Sequence, residues 1–223
     1  MRLVQSADNS FTLFSERYGE HYHSVGEGAL RETLEKHIRP AFAFAAIGEK
    51  IRVLDICFGL GYNSLCAIAN HSGKIEIIAP EIDRELIVYL PNLPYPKELE
   101  GYRPIIDRVS KELRYKDDRV LLQVVLGDAA KLVQEQTDEF DVIFQDPFSI
   151  RANAELWSES FFADLFRLLK PSGVLTTYSA SHIVRERMKK AGFLLYAHPF
   201  AADSGLRKGT IASKRALRLE PLA

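Results

Sequence analysis

An acid and two glycines follow the first strongly apolar segment of the chain, in the order Asp55, Gly59 and Gly61. The segment itself, residues 51–56, is typical of a buried strand, and the glycines open the next helix. Glycine is needed where a bound nucleoside approaches the backbone too closely for a Cβ, or where φ is positive. A carboxylate in this turn would repel a phosphate. Asp55 therefore predicts a nucleoside ligand that carries a cationic amino group rather than a dinucleotide.

Further polar positions follow the next three strands. Glu81 ends the second strand about 20 residues after the glycine loop, where an acid accepts hydrogen bonds from ribose hydroxyls, and Asp83 lies beside it. Gly127 and Asp128 follow the third strand, at the usual place of an acid that bonds the adenine amino group. Asp146 follows the fourth strand, where methyl donor and acceptor meet. Acidic side chains at the ends of four successive strands predict S-adenosylmethionine as the cofactor.

The elements that must position these residues alternate along the chain. Apolar strand patterns alternate with helical ones, which predicts an α/β fold with a mostly parallel sheet and right-handed crossovers. Seven strands ending in a short pair are typical of the Rossmann-like class I methyltransferase sheet, in which the last strand is antiparallel. The predicted strands cover residues 51–56, 74–83, 119–128, 140–146, 172–179, 193–199 and 209–214.

The remaining segments are predicted as additions to this sheet. Residues 1–40 form a hairpin and a helix that pack on a single core domain, residues 41–223. Residues 91–116 form a proline-rich insertion, expected to build the substrate side. Residues 154–170 have the periodicity of one helix that stops at Pro171.

Composition is that of an ordinary globular domain, with 47% hydrophobic and 26% charged residues. No apolar run approaches the ~20 residues that span a bilayer, and the amino terminus lacks the apolar core of a signal peptide. We therefore expect a cytoplasmic protein without a membrane partner. Cys57 and Cys66 are separated by eight residues, which suits neither a zinc site nor a redox pair. They are predicted to be small buried side chains.

Charge is unevenly distributed along the chain. The net charge is −1, yet residues 171–219 carry nine Lys or Arg and two acids, which gives +7 there and −8 for the rest. Such a segment could present a positive face to phosphates. Arg185, Arg207 and Lys208 are its candidate substrate contacts. The alternative is a solvated helix face and tail.

Several motifs resemble those of one known family. They are Tyr18–Ser24, Phe58–Asn63, Gln145–Ser149, Asn153–Trp157 and Thr177–Ala180. Across about residues 18–193 the chain resembles the methyltransferase half of the bifunctional tRNA 5-methylaminomethyl-2-thiouridine biosynthesis enzyme and its stand-alone relatives. The resemblance implies that it methylates a 5-aminomethyl group on the wobble uridine of tRNA. Cys57 departs from the family's first loop glycine, and Pro147 from a common alanine.

The resemblance also implies further contacts to the cofactor. Tyr22 and Ser24 would belong to a lid, and Phe58 and Asn63 to the glycine loop. No flavin-dependent domain, flavin or metal is expected in this chain. No feature of the sequence indicates an oligomeric state.

Three aromatic residues flank the predicted mouth of the site and are expected to contact the acceptor. They are Phe148, Trp157 and Tyr178. Trp157 could stack on the uridine base, which is worth ~1–3 kcal/mol per base. The alternative for Trp157 is a core residue on a helix face, and the same ambiguity applies to the other two.

Asp146 is the predicted catalytic residue. Methyl transfer to an amine needs a neutral nitrogen aligned with the methyl group, whereas a carboxylate favours the ammonium form. Asp146 is therefore predicted to position the amine and relay its proton. A general-base role, or a contact only to the amino-acid end of the cofactor, are the alternatives.

Three other functions are alternatives at this point. A methyltransferase for a small amine or other metabolite would not need the basic segment. An aminopropyltransferase on the same fold would have a glycine loop nearer Gly-Gly-Gly-Asp-Gly. A non-catalytic RNA-binding protein with a vestigial pocket is the alternative of another class, and the retained strand-end acids speak against it.

Overall fold

A computed structural model describes residues 1–199 and 209–222. The strands in chain order are β1 (Arg2–Gln5), β2 (Phe11–Ser15), β3 (Glu20–His21), β4 (Lys50–Ile56), β5 (Lys74–Glu81), β6 (Arg114–Lys116), β7 (Val120–Leu126), β8 (Phe140–Gln145), β9 (Leu169–Thr177), β10 (Leu194–Ala197) and β11 (Thr210–Ser213). The α-helices are α1 (Ala29–Thr33), α2 (Arg39–Phe44), α3 (Tyr62–Asn70), α4 (Arg84–Tyr89), α5 (Arg103–Glu112), α6 (Ala129–Glu135), α7 (Glu159–Leu168) and α8 (His182–Lys190). Short 3₁₀ segments cover Leu90–Asn92, Lys97–Tyr102 and Ala154–Trp157, and a π-helical segment covers Leu34–Ile38.

The central sheet has the order β10-β11-β9-β8-β4-β5-β7-β6. The strands from β9 to β7 are parallel, and β11 runs antiparallel to both β9 and β10. The class I α/β fold with an antiparallel last strand is thus confirmed. The short strand β6, which pairs antiparallel with β7, was not predicted and makes the sheet eight-stranded.

The strands are apolar on both sides because helices cover both faces of the sheet. Val53 packs in the core on one face, with α3 and α5, and Leu54 packs in the core on the other, with α7 and α8. This double burial explains why the strands have near-continuous apolar runs rather than alternating patterns. No helix in the described ranges is long and apolar enough to cross a membrane.

The amino-terminal residues form the predicted hairpin and helix. Strands β1 and β2 pair around a turn near Asp8, and β3 extends them into a three-stranded sheet. The helical run from Ala29 to Phe44 is continuous, but its middle, Leu34–Ile38, is π-helical. Such segments are rare and rotate the side chains that follow them.

Residues 154–170 do not form the single helix that the periodicity predicts. Ser158 divides them, because its hydroxyl accepts a hydrogen bond from the Phe161 backbone N–H and begins α7 anew. Strand β9 then starts at Leu169 and includes Pro171. Proline is tolerated there because the pairing with β8 is irregular near Asp141.

The insertion does not build the substrate side, contrary to expectation. The Tyr95 hydroxyl donates to the Leu60 carbonyl oxygen (2.7 Å), and Ile106 packs near Gly61. Residues 91–116 therefore support the glycine loop from behind, which is possible because their 3₁₀ turns and α5 pack on α3 and α4.

Gly28 controls the entry to the amino-terminal helical run. Its φ is +96°, and a Cβ there would overlap the Asp8 carboxylate, which accepts backbone N–H bonds from Ser10 and Arg31. We expect Gly28→Ala to lower the unfolding free energy by about 2–4 kcal/mol through strain and lost hydrogen bonds. Chemical denaturation measures this. Gly26→Ala is the matched control, since nothing lies within 4 Å of that Cβ position. Equal stability of the two variants would contradict this interpretation.

Candidate active site

A cavity of about 800 Å³ lies at the carboxyl ends of the parallel strands. Its floor comes from the segments that follow β4, β5, β7, β8 and β9, and residues 17–25 of the amino-terminal sheet cover it. A cofactor-sized ligand fits this volume. Open parallel sheets bind ligands at this edge, because strand ends leave backbone groups and loop side chains free there.

The glycine loop forms one wall of the cavity. Gly59 and Gly61 have φ of +54° and +74°, and Cys57 has φ of +67° although it is not glycine. A Cβ on Gly61 would lie 3.0 Å from the Phe58 ring, and one on Gly59 would lie 3.4 Å from the Tyr22 ring. Residues 57–60 therefore form a cradle in the cavity wall, where a side chain on Gly59 would crowd Tyr22. Gly61 packs against Phe58 and Ile106 and does not line the cavity, which corrects its predicted contact to the cofactor.

Glu81 lies at the floor of this cradle. Its Oε2 accepts the Gly59 backbone N–H (2.9 Å) and its Oε1 accepts the Asp83 backbone N–H (2.8 Å). Burial raises the pKa of Glu81, and these hydrogen bonds offset part of that effect. Each oxygen keeps a further lone pair, so the carboxylate can still accept from a vicinal diol such as a ribose.

Asp83 and Asp128 both line the cavity and both begin helices. Asp83 accepts the Leu86 N–H at the start of α4, and Asp128 accepts the Ala130 N–H at the start of α6. Capping thus orients each carboxylate without using all of its lone pairs. Gly127, with φ of +151°, lines the cavity beside Asp128.

Asp55 does not line the cavity, which corrects the predicted contact to a cationic amino group. Its side chain is fully buried and accepts a hydrogen bond from the Ser64 hydroxyl on α3 (2.6 Å). Burial raises the pKa of Asp55 to about 7. The strand end turns this carboxylate toward the helix, so Asp55 supports the loop from below.

Asp146 follows β8 and is largely buried in the wall of the cavity. Its Oδ2 accepts from the Asn63 amide (2.8 Å), and its Oδ1 lies 3.5 Å from His37 Nε2. The Asp146 side chain is 13% exposed and lines the cavity. Both oxygens are therefore oriented by the protein, and one edge of the carboxylate remains open to a ligand.

The amino-terminal segment closes the other side of the cavity. Tyr18 and Tyr22 pack against Phe148 with ring centroids 4.6 and 4.9 Å apart. Glu20 accepts the backbone N–H and the hydroxyl of Ser149, which joins the segment to the loop after β8. These contacts are consistent with the predicted lid position of Tyr22.

A buried ion cluster lies deeper on the same side. Lys36 pairs with Glu27 and Glu32, and Glu32 also accepts the Ser24 backbone N–H (2.8 Å). Burial raises the pKa of Glu32, but its hydrogen bond with His23 and the charge of Lys36 outweigh burial and lower the pKa to about 2.

Among the described residues that line the cavity, eight are acidic and only Arg17 and Lys36 are Arg or Lys. The cavity thus favours cationic ligands.

The predicted acceptor contacts divide into two groups. Phe148 and Tyr178 line the cavity, and the Tyr178 hydroxyl donates to the Pro147 carbonyl oxygen (3.0 Å). Trp157 is 1% exposed and its Nε1 donates to the Phe148 carbonyl oxygen (2.7 Å). Its ring packs against Phe162 and Tyr178, so the stacking prediction is wrong and Trp157 is a core residue.

Of the basic candidates, Arg185 is described by the structure and does not line the cavity. The Arg185 guanidinium donates to the Thr210 hydroxyl and the Gly209 carbonyl oxygen, so it joins α8 to β11 rather than contacting a ligand. Burial lowers the pKa of Arg185. Arg207 and Lys208 lie outside the described residues. Among residues 1–199 and 209–222, no group of three His, Cys, Asp or Glu side chains is arranged to hold a metal.

The contribution of the first helical run to the site was not predicted from the sequence. Lys36 and His37, which are adjacent, are both buried on the side of the site. A regular helix turns successive side chains by 100°, so periodicity alone does not place both inward. The spacing of Glu32 and Lys36, four residues apart, was the available signal for the ion cluster.

Comparisons with known proteins place this site in a family context. A family model described as S-adenosyl-L-methionine-dependent methyltransferase matches residues 97–215. The crystal structure of MnmC2 from Aquifex aeolicus is similar over the whole chain and 72% of that chain, with a TM-score of 0.86 and 32% identity. A spermidine synthase structure, with a TM-score of 0.60 and 18% identity, covers 96% of this chain and 74% of its own, and shares the fold alone.

Curated relatives are longer than this chain. The bifunctional tRNA 5-methylaminomethyl-2-thiouridine biosynthesis protein MnmC of Pseudomonas aeruginosa is 29% identical over 213 residues, covering 86% of this chain and 32% of that protein. An uncharacterized protein from Methanocaldococcus jannaschii is 29% identical over 199 residues, with 86% and 54% covered. The chain thus spans about half or less of these relatives.

Glu81 is the residue whose loss should weaken cofactor binding most directly. We expect Glu81→Ala to reduce S-adenosylmethionine affinity by ~1.5–3 kcal/mol, because hydrogen bonds to a charged acceptor are lost. Isothermal calorimetry measures this, with thermal unfolding to confirm that the variant is folded. Glu85→Ala, at an exposed position of α4, is the control. Unchanged affinity in Glu81→Ala would rule out this placement of the ribose.

Asp55 should make stability depend on pH. Its pKa rises from an ordinary 3.8 to about 7 in the folded protein, so the stability gained by binding the proton is present below pH 4 and lost as pH rises to 7. Between about pH 4 and 8 we expect the unfolding free energy of the wild type to fall relative to Asp55→Asn, by on the order of 4 kcal/mol. Denaturation at each pH tests this, with the exposed-site variant Asp118→Asn as control. Parallel wild-type and Asp55→Asn curves would contradict the assignment.

Proposed function

Because the chain belongs to this family of S-adenosyl-L-methionine-dependent methyltransferases, we propose that it methylates the primary amine of a 5-aminomethyl group on the wobble uridine of tRNA, in the cytoplasm. One observation carries the amine assignment: Asp146 presents an oriented carboxylate in the wall of an acidic cavity. The names of the bifunctional relatives and the similarity to MnmC2 support the tRNA assignment.

The cofactor end of the cavity fits S-adenosylmethionine. Glu81 would accept the ribose hydroxyls, Asp83 and Asp128 would bond the remaining polar edge of the nucleoside, and the glycine cradle leaves room for it. When bound, the cofactor supplies an activated methyl group on a cationic sulfur. Because Asp55 faces α3, Asn63 is the better candidate for the amino-acid end, since its side-chain oxygen has no hydrogen-bond partner among the described residues.

The acceptor end fits a cationic alkylamine. Asp146 can accept a hydrogen bond from an ammonium or amine and hold its nitrogen in the line of transfer. Phe148 and Tyr178 offer flat apolar surface beside it, which suits a pyrimidine ring. The acidic lining concentrates cations and disfavours acceptors that bear a carboxylate.

The RNA backbone would contact the rim rather than the acidic interior. Arg17 is exposed and lines the mouth of the cavity. Arg151 is exposed in the turn next to Ala152 and Asn153, which also line the mouth. Together with Arg207 and Lys208, these side chains are the proposed phosphate contacts.

A free small amine is the second candidate acceptor, because the acidic cavity suits it equally well. The two candidates differ at the rim. If the substrate is tRNA, the affinity of the protein for it should fall steeply with salt. The slope of log affinity against log salt concentration should be about 0.7–0.9 per phosphate contact. Methylation of a small amine should depend little on salt and not at all on Arg17 or Arg151.

The direct experiment is incubation of the protein and S-adenosylmethionine with tRNA that carries 5-aminomethyluridine. We expect mass analysis of the wobble nucleoside to find one added methyl group. A wild-type protein that binds the cofactor, methylates free alkylamines and leaves this nucleoside unmodified would exclude the tRNA proposal in favour of the small-amine one.

Asp146→Asn should separate chemistry from cofactor binding. The amide keeps the shape of the carboxylate but loses its charge and proton affinity, so we expect turnover to fall about 10²-fold. S-adenosylmethionine affinity should change much less, because Glu81 and the glycine loop are intact. Single-turnover kinetics and calorimetry measure the two effects, and Asp118→Asn is the control. Wild-type turnover in Asp146→Asn would refute the assigned role.

A further inference from the structure

His37 is buried beneath Asp146, and packing of the fold does not by itself require a histidine at this position. It belongs to the π-helical segment Leu34–Ile38 and is 1% exposed. Its Nδ1 is 3.1 Å from the Thr176 hydroxyl oxygen on β9, and its Nε2 is 3.5 Å from Asp146 Oδ1. The ring thus lies between the sheet and the carboxylate of the site.

The Nε2 atom has no hydrogen-bond partner among the described residues. A buried polar atom in this condition costs about 1–3 kcal/mol, so proteins rarely keep one without a use. Asn63 already bonds the other oxygen of Asp146, so the carboxylate cannot turn freely away from His37. The unpartnered nitrogen therefore faces the one residue that is proposed to touch the acceptor amine.

We propose that His37 is a positioning residue that also receives, through Asp146, the proton that the acceptor ammonium must lose. The proposal rests on the amine-methylating function proposed above. It requires that His37 Nδ1–H donates to Thr176, which leaves the Nε2 lone pair directed at Asp146. Asp146 alone would hold an ammonium but oppose its deprotonation, and a base behind it removes that conflict.

The proton and charge balance closes without a further reactant. The ammonium R–CH₂–NH₃⁺ transfers one proton to the Asp146 carboxylate, and Asp146 passes that proton from Oδ1 to His37 Nε2. The neutral amine nitrogen then forms a bond to the methyl carbon as the carbon–sulfur bond breaks. The products are R–CH₂–NH₂⁺–CH₃, the uncharged thioether and an imidazolium, which returns its proton to solvent after product release.

The charged groups around His37 suit this role. Asp146, which follows β8, lies 3.5 Å from His37 Nε2, and Asp55 near the end of β4 interacts electrostatically with both His37 and Asp146. His198, which follows β10, is the nearby base, and burial lowers its pKa to about 4, so it stays neutral and does not oppose the imidazolium. Lys36, adjacent in the same segment, is neutralised by Glu27 and Glu32.

Variants at His37 test the inference through the pH dependence of turnover. His37→Gln keeps a polar group near Asp146 but cannot accept a proton. We expect kcat at neutral pH to fall about 10²-fold while the KM for S-adenosylmethionine is unchanged. The wild-type kcat should level off at a lower pH than that of the variant, whose kcat should keep rising toward the pKa of the alkylammonium.

A matched control is available at His71, another buried histidine, whose ring nitrogen pairs with the Glu49 carbonyl oxygen away from the cavity. His71→Gln should keep the wild-type kcat profile. If His37→Gln keeps the wild-type profile, or loses activity with no change of its pH dependence, His37 has only a structural role and the proposal is overturned.

A second measurement needs no acceptor and so separates this inference from the proposed function. In protein labelled with nitrogen-15 histidine and saturated with S-adenosylhomocysteine, the ring signals of His37 are assigned by comparison with His37→Gln. We expect the neutral form to be protonated at Nδ1, with Nε2 taking up the proton on acidification and doing so at lower pH in Asp146→Asn. A neutral form protonated at Nε2, or a ring that does not titrate between about pH 5 and 9, would overturn the proposal even if tRNA is methylated. If tRNA is not methylated but the ring behaves as expected, only the acceptor assignment fails.

Discussion

Three carboxylates meet at the carboxyl edge of the parallel sheet, and the free energy needed to bury their charges constrains the structure of the site. Asp55, Glu81 and Asp146 end neighbouring strands, and burial of a charge is expensive unless hydrogen bonds or a proton compensate it. Each is compensated differently. Burial raises the pKa of Asp55 to about 7 beside the Ser64 hydroxyl, Glu81 accepts two backbone N–H groups, and Asp146 is held by the Asn63 amide.

The groups that compensate these carboxylates come from the surrounding loop and helices. The Gly59 N–H donates to Glu81 from a loop that adopts positive φ at three positions, one of them a cysteine. The amino-terminal helical run packs on α3 and β9, and its π-helical segment sets His37 under Asp146. The amino-terminal residues are therefore part of the site, since they supply its cover, its lysine and its buried imidazole.

Sequence alone predicted the sheet well because both of its faces are buried, which produces long apolar runs that periodicity detects. It predicted Glu81, Asp128 and Asp146 at the cavity because strand ends in such sheets converge on one edge. It placed Asp55 wrongly, because a strand-end acid can face the ligand or the following helix, and the choice depends on Ser64. It left Trp157 open between stacking and core positions, since burial depends on the packing of α7 against the sheet. The π-helical turn has no sequence signature, and with it the role of His37 was missed.

The most direct test of this account is a crystal structure of the protein with S-adenosylhomocysteine. We expect the ribose hydroxyls on the Glu81 carboxylate, the amino-acid end near Asn63, and the sulfur directed toward the open edge of Asp146. A ribose bound away from Glu81, or a sulfur directed away from Asp146, would contradict it.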